Sequence, residues 1–332
     1  MLTPSRTPLV ETYDVAMLDL DGVVYVGPDA VPGAAEHLAA VRDAGLRLAF
    51  VTNNASRPPA TVAEHLSELD VPADVEDVVT SSQAAAGLLH DRLGDGGKVA
   101  LLGTDGLRVA LEQRSLVPVA VDDPDAQAVV SGFGPDVRWS EIMRAAVRVR
   151  DGLWWVASNT DMTFPSAFGI APGHGVLVDT IRRFSGVEPQ VAGKPARPLL
   201  EETIRRTGAE RPLMVGDRLD TDIEGGRNAG VATLLVLTGV CGVADLVSAR
   251  PQERPDHIGT DLGALLEAHP EPEHTDGGWR VGGWTARLDD GSLRVDGDGA
   301  PSDWWRALAC AAWEHLDAHG EAADASGLTP PS

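Results

Sequence analysis

Short apolar runs alternate with helical patterns along the first part of the chain. Residues 15–20 (VAMLDL) form an apolar run that ends in carboxylates, and residues 46–52 (LRLAFVT) form a second run before Asn53–Asn54. Runs of this length are typical of buried strands in a parallel sheet. Helical patterns at 32–45 and 58–69 follow the two strands. This alternation predicts a doubly wound α/β sheet, whose ligands bind at the carboxyl ends of the strands.

The same alternation returns late in the chain, and a separate set of elements lies between the two blocks. The late block contains predicted helices and strands at 198–207, 213–216, 222–229 and 232–237. The middle set contains predicted strands at 99–102, 128–130 and 153–156 and predicted helices at 107–114 and 139–150. We therefore predict that the middle segment is an α/β domain inserted into the first domain.

The pattern changes again past residue 270. Residues 270–278 have the composition of a linker, and strand-like pieces follow at 279–288 and 293–295. Residues 302–319 have the period of an amphipathic helix, and the last dozen residues are expected to fray. Five tryptophans are expected either to build a small satellite core here or to dock the extension on the main body: Trp279, Trp284, Trp304, Trp305 and Trp313.

These patterns predict three regions and an α/β fold class. A Rossmann-like core is predicted at 1–82 plus 188–268, and the inserted α/β domain at 83–187. A small α+β extension, a hairpin plus a helix, is predicted at 269–332.

The charge balance excludes some classes of partner. Among 332 residues, 50 acidic side chains outnumber 27 basic ones, so the formal net charge is -23. Such a charge repels nucleic acid and anionic lipid, and no window approaches the ~20 apolar residues of a membrane span. The two cysteines, Cys241 and Cys310, lack metal-ligand spacing, and the first ten residues lack a signal-peptide pattern. We therefore expect a cytoplasmic protein that binds neither nucleic acid nor a membrane.

Two of the predicted core strands end in groups suited to a cation or an anion. Asp19 and Asp21 lie on the same side of an extended segment, and Gly22 lets the chain turn tightly. Two crowded carboxylates suit a hard cation, or a nucleophile beside a general acid, although a capped turn has the same pattern. Thr52 and Asn53 offer a hydroxyl and N–H groups to an anion, although Asn-Asn is also a common turn.

Two further positions add a cation and more carboxylates. Lys194, one of only two lysines, stands between Gly193 and Pro195, where the proline excludes a nucleotide-type phosphate loop. A lysine in this setting is usually solvated, but its rarity in this chain favours a specific role. Asp217 and Asp222, with a third carboxylate between them, follow another strand and resemble a magnesium site more than a helix cap.

The order and spacing of these motifs carry more information than any one of them. DLDGVV, VTNN, GKP and GDRLDTD, in this order, resemble the four motifs of the haloacid-dehalogenase superfamily. The insertion is similar to the large α/β cap of its p-nitrophenylphosphatase-like (NagD-like) branch, and residues 159–165 and 169–175 resemble that branch's return from cap to core. The resemblance covers roughly residues 12–268. The C-terminal piece is similar to the tail of extended actinobacterial glycerol-3-phosphate phosphatases, which resembles a truncated acetyltransferase fold.

This resemblance implies a magnesium-dependent phosphatase. Asp19 is the implied nucleophile, which forms an aspartyl-phosphate, and Asp21 is the implied general acid and base. Mg²⁺ is implied to bind Asp19, the backbone carbonyl of Asp21, and Asp217. A metal would also supply the local positive charge that an acidic protein needs at an anionic substrate.

The resemblance also implies which residues hold the phosphoryl group. Thr52, the N–H of Asn53 and the ammonium of Lys194 are the implied contacts of its oxygens. Asn54 is implied to position the residues that contact the phosphoryl group, and Asp222 is implied to orient metal-bound water or Lys194.

The cap is expected to cover the site, which favours a small polar phosphomonoester as substrate. Glycerol 3-phosphate is the first choice, before nucleoside monophosphates, sugar phosphates, pyridoxal phosphate and 2-phosphoglycolate. Gly132, Phe133 and Trp139 occupy the loop with which relatives contact the leaving group, although ordinary packing also explains Phe133 and Trp139. Two placements are open for His174, near the return to the core: beside the substrate, or at the surface, which is the expected one.

Other functions fit parts of the sequence. A non-catalytic phosphate-binding protein would keep the fold but lose the nucleophile or the acid, and both are present. A phosphotransferase shares the motifs. The tryptophan-rich tail also suits a homodimer interface, which is compatible with the enzyme.

Overall fold

The computed structural model describes residues 1–166 and 169–331 and divides into two compact units. Unit 1 comprises Met1–Leu48 and Ala209–Ser332, and unit 2 comprises Ala49–Gly208. None of the helices among these described residues is long and apolar enough to cross a membrane.

The first stretch of unit 1 matches the alternation expected from the sequence. Its elements are α1 (Leu9–Thr12), β1 (Val15–Leu18), β2 (Tyr25–Val26), β3 (Asp29–Ala30) and α2 (Ala34–Asp43). All four residues of β1 are buried, as expected for a strand inside a parallel sheet. Strand β4 (Arg47–Thr52) then runs from unit 1 into unit 2.

Unit 2 is an α/β unit with its own parallel sheet. Its further elements are α3 (Pro59–Glu68), β5 (Val78–Thr80), α4 (Ser81–Leu93), β6 (Lys98–Leu102), α5 (Asp105–Gln113), β7 (Val117–Val119), β8 (Ala128–Ser131), α6 (Trp139–Arg150), β9 (Trp154–Ala157), β10 (Thr163–Ser166), β11 (Gly169–Pro172), α7 (His174–Ser185), β12 (Gln190–Val191) and α8 (Pro198–Thr207). The strand order of its main sheet is β12-β9-β8-β6-β7, all parallel, while β4 pairs with β5 and β10 with β11. The predicted middle α/β set is confirmed.

The register of this sheet brings three strand ends to one edge. Leu102 of β6 pairs with Ser131 of β8, and Ser131 pairs with Ala157 of β9. The loops that begin at Gly103, Gly132 and Ser158 therefore leave the sheet together, at the carboxyl edge where ligands bind in folds of this kind.

The return of the chain to unit 1 completes a second parallel sheet. Its elements are β13 (Pro212–Gly216), α9 (Glu224–Ala229), β14 (Ala232–Val236), α10 (Val243–Val247) and β15 (His257–Gly259). The unit 1 strands are arranged as β15-β14-β13-β1, all parallel. The helix predicted from Asp222 is wrong in its first turn, because Leu219–Ile223 forms a π-helical turn before α9 begins.

The C-terminal extension is a sheet rather than a linker and a hairpin. It contains β16 (Glu273–Thr275), β17 (Gly278–Val281), β18 (Trp284–Asp289), β19 (Ser292–Gly297) and α11 (Pro301–His319), and the strands form one antiparallel sheet in chain order. The predicted linker therefore contains a strand. The predicted strand at 279–288 is broken at Gly282, where φ is +53° and a Cβ would lie 2.3 Å from Asp303 Oδ2.

Helix α11 is buried on every side over its first three turns. All residues from Ser302 to Trp313 are buried, so the amphipathic pattern predicted for this helix is wrong. One face packs on β17, β18 and β19, and another on α10 and β15. The tryptophan cluster is confirmed, and of the two expected arrangements the structure shows docking on the main body, because the cluster shares one core with Leu235 and Ile258 of the parallel strands.

The end of the chain is also held more firmly than expected. Ala323 is buried, and the N–H of Leu293 donates to the carbonyl of Asp324 at 2.7 Å. The expectation of a frayed end is therefore wrong for this stretch; Ser332 lies outside the described residues.

Candidate active site

Three buried carboxylates converge at the strand ends of unit 1. Asp19 follows β1 and donates its N–H to the carbonyl of Val215 at 2.8 Å, which continues the pairing with β13. Asp217 follows β13, so the two aspartates leave neighbouring parallel strands side by side. Asp19, Asp217 and Asp222 each offer one carboxylate oxygen, and these oxygens lie within 4.8 Å of one another. We call these three residues the acidic cluster.

Glycines on two segments hold Asp217 in place. Gly22 has a φ of +85°, and a Cβ there would lie 2.5 Å from Asp217 Oδ2. A Cβ on Gly239 would lie 1.9 Å from the same oxygen, which also accepts the N–H of Val240 at 2.8 Å. Any side chain at either glycine would displace the Asp217 carboxylate. The site therefore requires glycine at both positions, where the backbone lies against this carboxylate.

The electrostatics of the acidic cluster call for a cation. Burial raises the pKa of Asp217 to about 8, and the carboxylates of Asp222 and Asp19 add to this increase. Asp217 Oδ1 is buried and has no hydrogen-bond partner within residues 1–166 and 169–331. A set of close carboxylate oxygens with an unsatisfied member fits a hard divalent cation such as Mg²⁺.

The π-helical turn decides which carboxylates join the cluster. The N–H of Arg218 donates to Asp222 Oδ2 at 3.1 Å, and a Cβ on Gly216 would lie 2.3 Å from the same oxygen. The side chain of Arg218 points away and binds Asp220 at 2.9 Å, near the surface. Asp222 is therefore inside the cluster and Asp220 outside it, whereas the motif alone treats all three carboxylates alike.

In unit 2, the predicted phosphate-binding residues lie together and are buried. Thr52, Asn53 and Lys194 have exposures of 3%, 9% and 1%. Thr52 Oγ1 accepts the N–H of Asn54 at 3.0 Å, and the Lys194 ammonium lies 3.5 Å from the carbonyl of Val51. A lysine this deeply buried is rare in soluble proteins, which supports a specific role rather than a solvated one.

The sequence reasoning missed two residues beside this group. Asn159 Nδ2 donates to the carbonyl of Asn53 at 2.7 Å, and Asn53 Nδ2 lies 3.1 Å and 3.2 Å from the two carboxylate oxygens of Asp161. Both residues belong to the segment that resembles a return from cap to core, but no role was deduced for them. The signal was an amide and a carboxylate two positions apart after a buried strand.

The predicted leaving-group loop has one packed and one exposed aromatic ring. Phe133 meets Phe164 edge to face, with ring centroids 4.7 Å apart. Trp139, the first residue of α6, is 63% exposed, so ordinary packing does not explain it. Gly132 begins the loop at the end of β8, where a Cβ would lie 2.5 Å from Leu107.

The expectation that His174 lies at the surface is wrong. It is 3% exposed, and its Nε2 lies 3.2 Å from Ser131 Oγ, which also accepts the indole N–H of Trp155 at 2.9 Å. Burial lowers the pKa of His174 to about 4. The imidazole is therefore neutral in the folded protein at neutral pH.

We predict that His174 makes the protein less stable as the pH falls. Below pH 6.5 the unfolded chain binds a proton at this histidine, whereas the folded chain does so only near pH 4. The free energy of unfolding should therefore fall by about 1 kcal/mol per pH unit between these values, and be unaffected above them. Urea titrations of wild type and His174→Gln from pH 7.5 to 4.5 measure this slope.

The exposed His319 at the end of α11 provides the control for this prediction. His319→Gln should keep the wild-type slope, whereas His174→Gln should be flatter. His257 and His269 also have lowered pKa values, about 4 and about 3, so some slope remains in every variant. Equal slopes for both variants would contradict the prediction.

Comparison with known families matches three stretches of the chain to separate family models. Residues 16–116 match the model of haloacid dehalogenase-like hydrolases, and residues 191–265 match a second HAD-hydrolase-like model. Residues 281–328 match a GCN5-related N-acetyltransferase-like domain.

Individual relatives agree with the family models. D-glycerol 3-phosphate phosphatase of Mycobacterium tuberculosis is 40% identical over 92% of this chain and 87% of its own. The crystal structure of that organism's glycerol phosphate phosphatase in complex with magnesium has a TM-score of 0.83 at 40% identity, covering 93% of this chain and 92% of that chain. The 5'-nucleotidase YutF of Bacillus subtilis is 34% identical over 75% of this chain and 95% of its own. The 4-nitrophenylphosphatase of Thermotoga maritima has a TM-score of 0.72 at 31% identity, covering 78% of this chain and 98% of that chain.

The fold, the acidic cluster and these relatives define a phosphatase that uses a divalent cation. Within that class the chain belongs to the haloacid-dehalogenase superfamily, and its similarities lie in the p-nitrophenylphosphatase-like branch. Mg²⁺ is its cofactor, in agreement with the acidic cluster and with the magnesium complex of the mycobacterial relative.

Proposed function

We propose that this phosphatase hydrolyses glycerol 3-phosphate. The observation that supports the substrate is the similarity to the mycobacterial enzyme, which extends over 92% of the chain and thus includes the extension. The relatives from Bacillus and Thermotoga cover only 75% and 78% of this chain. The presence of the extension therefore sets the chain beside the mycobacterial enzyme rather than beside nucleotidases.

We propose the roles in unit 1 as follows. One carboxylate oxygen of Asp19 attacks phosphorus and forms an aspartyl-phosphate, while the bond from phosphorus to the leaving oxygen breaks. Asp21 donates its proton to that oxygen, then accepts a proton from the water that cleaves the aspartyl-phosphate. The second step releases inorganic phosphate and restores the carboxylate of Asp19.

The acidic cluster supports the proposed metal site. Asp19, the backbone carbonyl of Asp21, and Asp217 would hold Mg²⁺, and Asp222 would orient its water ligands. When bound, the ion neutralises the charge that otherwise keeps a carboxylate nucleophile away from a phosphate ester. Without a cation the three buried carboxylates repel one another, which the raised pKa of Asp217 reflects.

We propose that the buried group of unit 2 binds the phosphoryl oxygens. Thr52 would donate its hydroxyl, Asn53 its backbone N–H, and Lys194 its ammonium, with Asn54 holding the oxygen of Thr52 as it does in the structure. The burial of Lys194 supports this role, because a charge removed from water acts strongly on a nearby anion.

We also propose that residues 83–187 form a cap over the substrate, with 1–82 plus 188–268 as the catalytic core and 269–332 as the extension. Gly132, Phe133 and Trp139 would contact the leaving group. The exposure of Trp139 supports this role, since a large aromatic ring in water is available to a ligand.

A phosphatase of another small metabolite is the alternative, and the name of the Bacillus relative favours a nucleoside monophosphate among the candidates. A non-catalytic phosphate-binding protein is disfavoured, because Asp19, Asp21, Lys194 and Asp217 are all present and are buried or partly buried. We propose a cytoplasmic location. The homodimer expected from the tryptophan-rich tail stays a prediction, which light scattering of the purified protein would test.

Phosphate release from a substrate panel tests the proposed function. We expect release from glycerol 3-phosphate to require Mg²⁺, to stop with chelator and to return when Mg²⁺ is restored. The value of kcat/KM for glycerol 3-phosphate should exceed those of a nucleoside monophosphate, a sugar phosphate, pyridoxal phosphate and 2-phosphoglycolate by about tenfold or more. p-Nitrophenyl phosphate serves as the generic substrate.

The panel also separates the alternatives. Much faster hydrolysis of another ester would replace glycerol 3-phosphate as the substrate and keep the mechanism. No release from any ester by folded, magnesium-loaded protein would favour a phosphate-binding role.

A further inference from the structure

The side chain of Asn53 binds both polar groups of the Lys194 backbone. The Lys194 N–H donates to Asn53 Oδ1 at 2.8 Å, and Asn53 Nδ2 donates to the Lys194 carbonyl at 2.9 Å. One carboxamide thus pairs with Lys194 as a neighbouring strand would. Few side chains other than a carboxamide can do this, because a donor and an acceptor are needed on one short, planar group.

The remaining hydrogen of the Asn53 amide points to Asp161. Asn53 Nδ2 lies 3.1 Å and 3.2 Å from the two oxygens of that carboxylate. The N–H of Asp161 in turn donates to Asn159 Oδ1 at 3.2 Å, and Asn159 Nδ2 donates to the carbonyl of Asn53 at 2.7 Å. These bonds form a closed circuit of three residues through side-chain and main-chain groups, which allows only one orientation of the Asn53 amide.

The fit around this circuit leaves no room for adjustment. A Cβ on Gly193 would lie 2.5 Å from Asn53 Oδ1 and 2.7 Å from the carbonyl of Ser158. The segment before Lys194 therefore approaches Asn53 as closely as a glycine permits. The carbonyl of Asn53 also accepts the hydroxyl of Ser81 at 2.6 Å, so the backbone of Asn53 is fixed as well.

The circuit joins three parts of unit 2 that are far apart in sequence. Asn53 follows β4, Asn159 and Asp161 follow β9, and Lys194 precedes α8. The Lys194 side chain is 1% exposed, so the surrounding protein restricts the positions that its ammonium can take. Its position follows from the placement of its backbone, which the Asn53 amide sets directly and Asp161 sets through Asn53.

We propose that Asn53 and Asp161 are positioning residues that hold the Lys194 ammonium where the phosphatase reaction needs it. This inference rests on the role proposed above for Lys194. It is separate from the proposed phosphate contact of Asn53, which uses the backbone N–H and is present with any side chain at this position. A displacement of about 1 Å in a group that stabilises a transition state can cost about 10²-fold in rate.

The variant Asn53→Asp tests this proposal. It preserves the size of the side chain and an acceptor for the Lys194 N–H, but it removes both donated hydrogen bonds and places a second carboxylate beside Asp161. We expect kcat for the best ester of the panel to fall by about 10²-fold, with a smaller change in KM. Gln113→Glu, at the exposed end of α5, adds the same charge in unit 2 and should leave kcat unchanged.

Two double variants distinguish positioning from a general structural role. In Asn53→Asp with Asp161→Asn the amide and the carboxylate exchange places, and we expect about tenfold of the lost rate to return. In a Lys194→Met background, Asn53→Asp should cause no further loss of kcat, or of affinity for inorganic phosphate measured by calorimetry. A residue needed only for folding would show neither the rescue nor the dependence on Lys194.

The outcomes that overturn the proposal are distinct from those that overturn the function. A wild type that hydrolyses no ester contradicts the proposed function, and with it the role of Lys194 on which the circuit depends. An active wild type in which Asn53→Asp and Lys194→Met lower kcat independently contradicts the positioning role alone. If Asn53→Asp does not fold, Asp161→Asn keeps both hydrogen bonds between the Asn53 amide and the Lys194 backbone and decides the question: about a tenfold loss of kcat supports the proposal, and no loss contradicts it.

Discussion

Asp19→Asn is expected to lower magnesium-dependent phosphate release by at least about 10³-fold, because a carboxamide oxygen is a poor nucleophile for phosphorus. The substitution keeps the size of the side chain and the backbone bond to Val215, so the fold should not change. Release of phosphate from the best ester of the panel, followed over hours with Mg²⁺ present, measures the residual rate.

A second property of this variant separates lost chemistry from lost structure. Removing one of three buried carboxylates relieves repulsion in the acidic cluster, so the metal-free variant should melt at a higher temperature than the metal-free wild type. Mg²⁺ should then stabilise the variant less than the wild type, because one ligand charge is missing. Asp43→Asn, at the exposed end of α2, is the matched control and should change neither the rate nor the melting temperature.

Substantial activity in Asp19→Asn would contradict the aspartyl-phosphate mechanism. It would instead favour direct attack by water, with the acidic cluster acting only as a metal site. If Asp19→Asn is inactive because it does not fold, its melting curve will show this. The melting temperature of Asp43→Asn gives the reference value for a folded variant.

Deletion of residues 271–332 is expected to prevent unit 1 from folding. The deleted helix α11 supplies three buried tryptophans to the core that contains Leu235 and Ile258. Truncating one buried tryptophan to alanine costs about 3–5 kcal/mol, and the whole domain is stable by only about 5–15 kcal/mol. Circular dichroism and solubility of the truncated chain should therefore show an unfolded or aggregated protein.

Hydrogen bonds that α11 makes outside the extension add to this expectation. The guanidinium of Arg306 donates to the carbonyl of Ile258 at 2.8 Å, and the indole of Trp313 donates to the carbonyl of Leu246 at 2.8 Å. The buried guanidinium of Arg254 would lose its two-pronged bond to Asp317, at 2.7 Å for both contacts. Each of these lost hydrogen bonds leaves a buried polar group without its partner.

A shorter deletion is the control for this experiment. A chain that ends at Leu328 keeps the contact between Leu293 and Asp324 and should melt cooperatively near the wild-type temperature. If the chain without residues 271–332 folds and hydrolyses esters, the extension is an independent module. Unchanged oligomer size and stability of that chain would argue against a dimer interface in the extension.

The family resemblance implied a shared metal site for Asp19 and Asp217, and strand adjacency explains the geometry of the acidic cluster. Two short apolar runs that each end in aspartate become parallel neighbours, so Asp19 and Asp217 meet at one edge. The choice of Asp222 over Asp220 came from the family resemblance alone, since the geometry that separates them depends on a π-helical turn without a sequence signature. The roles of the cluster, beyond its geometry, stay predictions.

Contacts between loops that are far apart in the chain could not be predicted from the sequence. Asn53 and Asp161 are 108 positions apart, and neither hydrophobic period nor local spacing links them. His174 opens a helix after Gly173, a position that is often exposed, and its burial follows from Ser131 on another strand. Periodicity reports which face of an element is apolar, but not which polar groups meet in the core.

The amphipathic pattern predicted for helix α11 is wrong for a specific reason. The side opposite its tryptophans carries small residues such as Ala307 and Cys310, which score as neither clearly polar nor strongly apolar. Small side chains allow another element to pack closely on that side, and both residues are fully buried. A helix with large residues on one side and small ones on the other is therefore compatible with burial between two layers.

The placement of α11 also affects how the protein is made. The helix begins 286 residues after β1 starts at Val15, the difference between positions 301 and 15. At about 5–20 residues per second, roughly 15 to 60 s separate the synthesis of these two parts of one core. Unit 2 is one continuous stretch and can fold on the ribosome in that interval, whereas the apolar β1 waits for partners not yet translated. A message that breaks off between the codon of Asp222 and those of α11 would yield a chain with a complete set of catalytic motifs but no stable unit 1 to hold them. Such a chain is a substrate for chaperones and proteases rather than an enzyme.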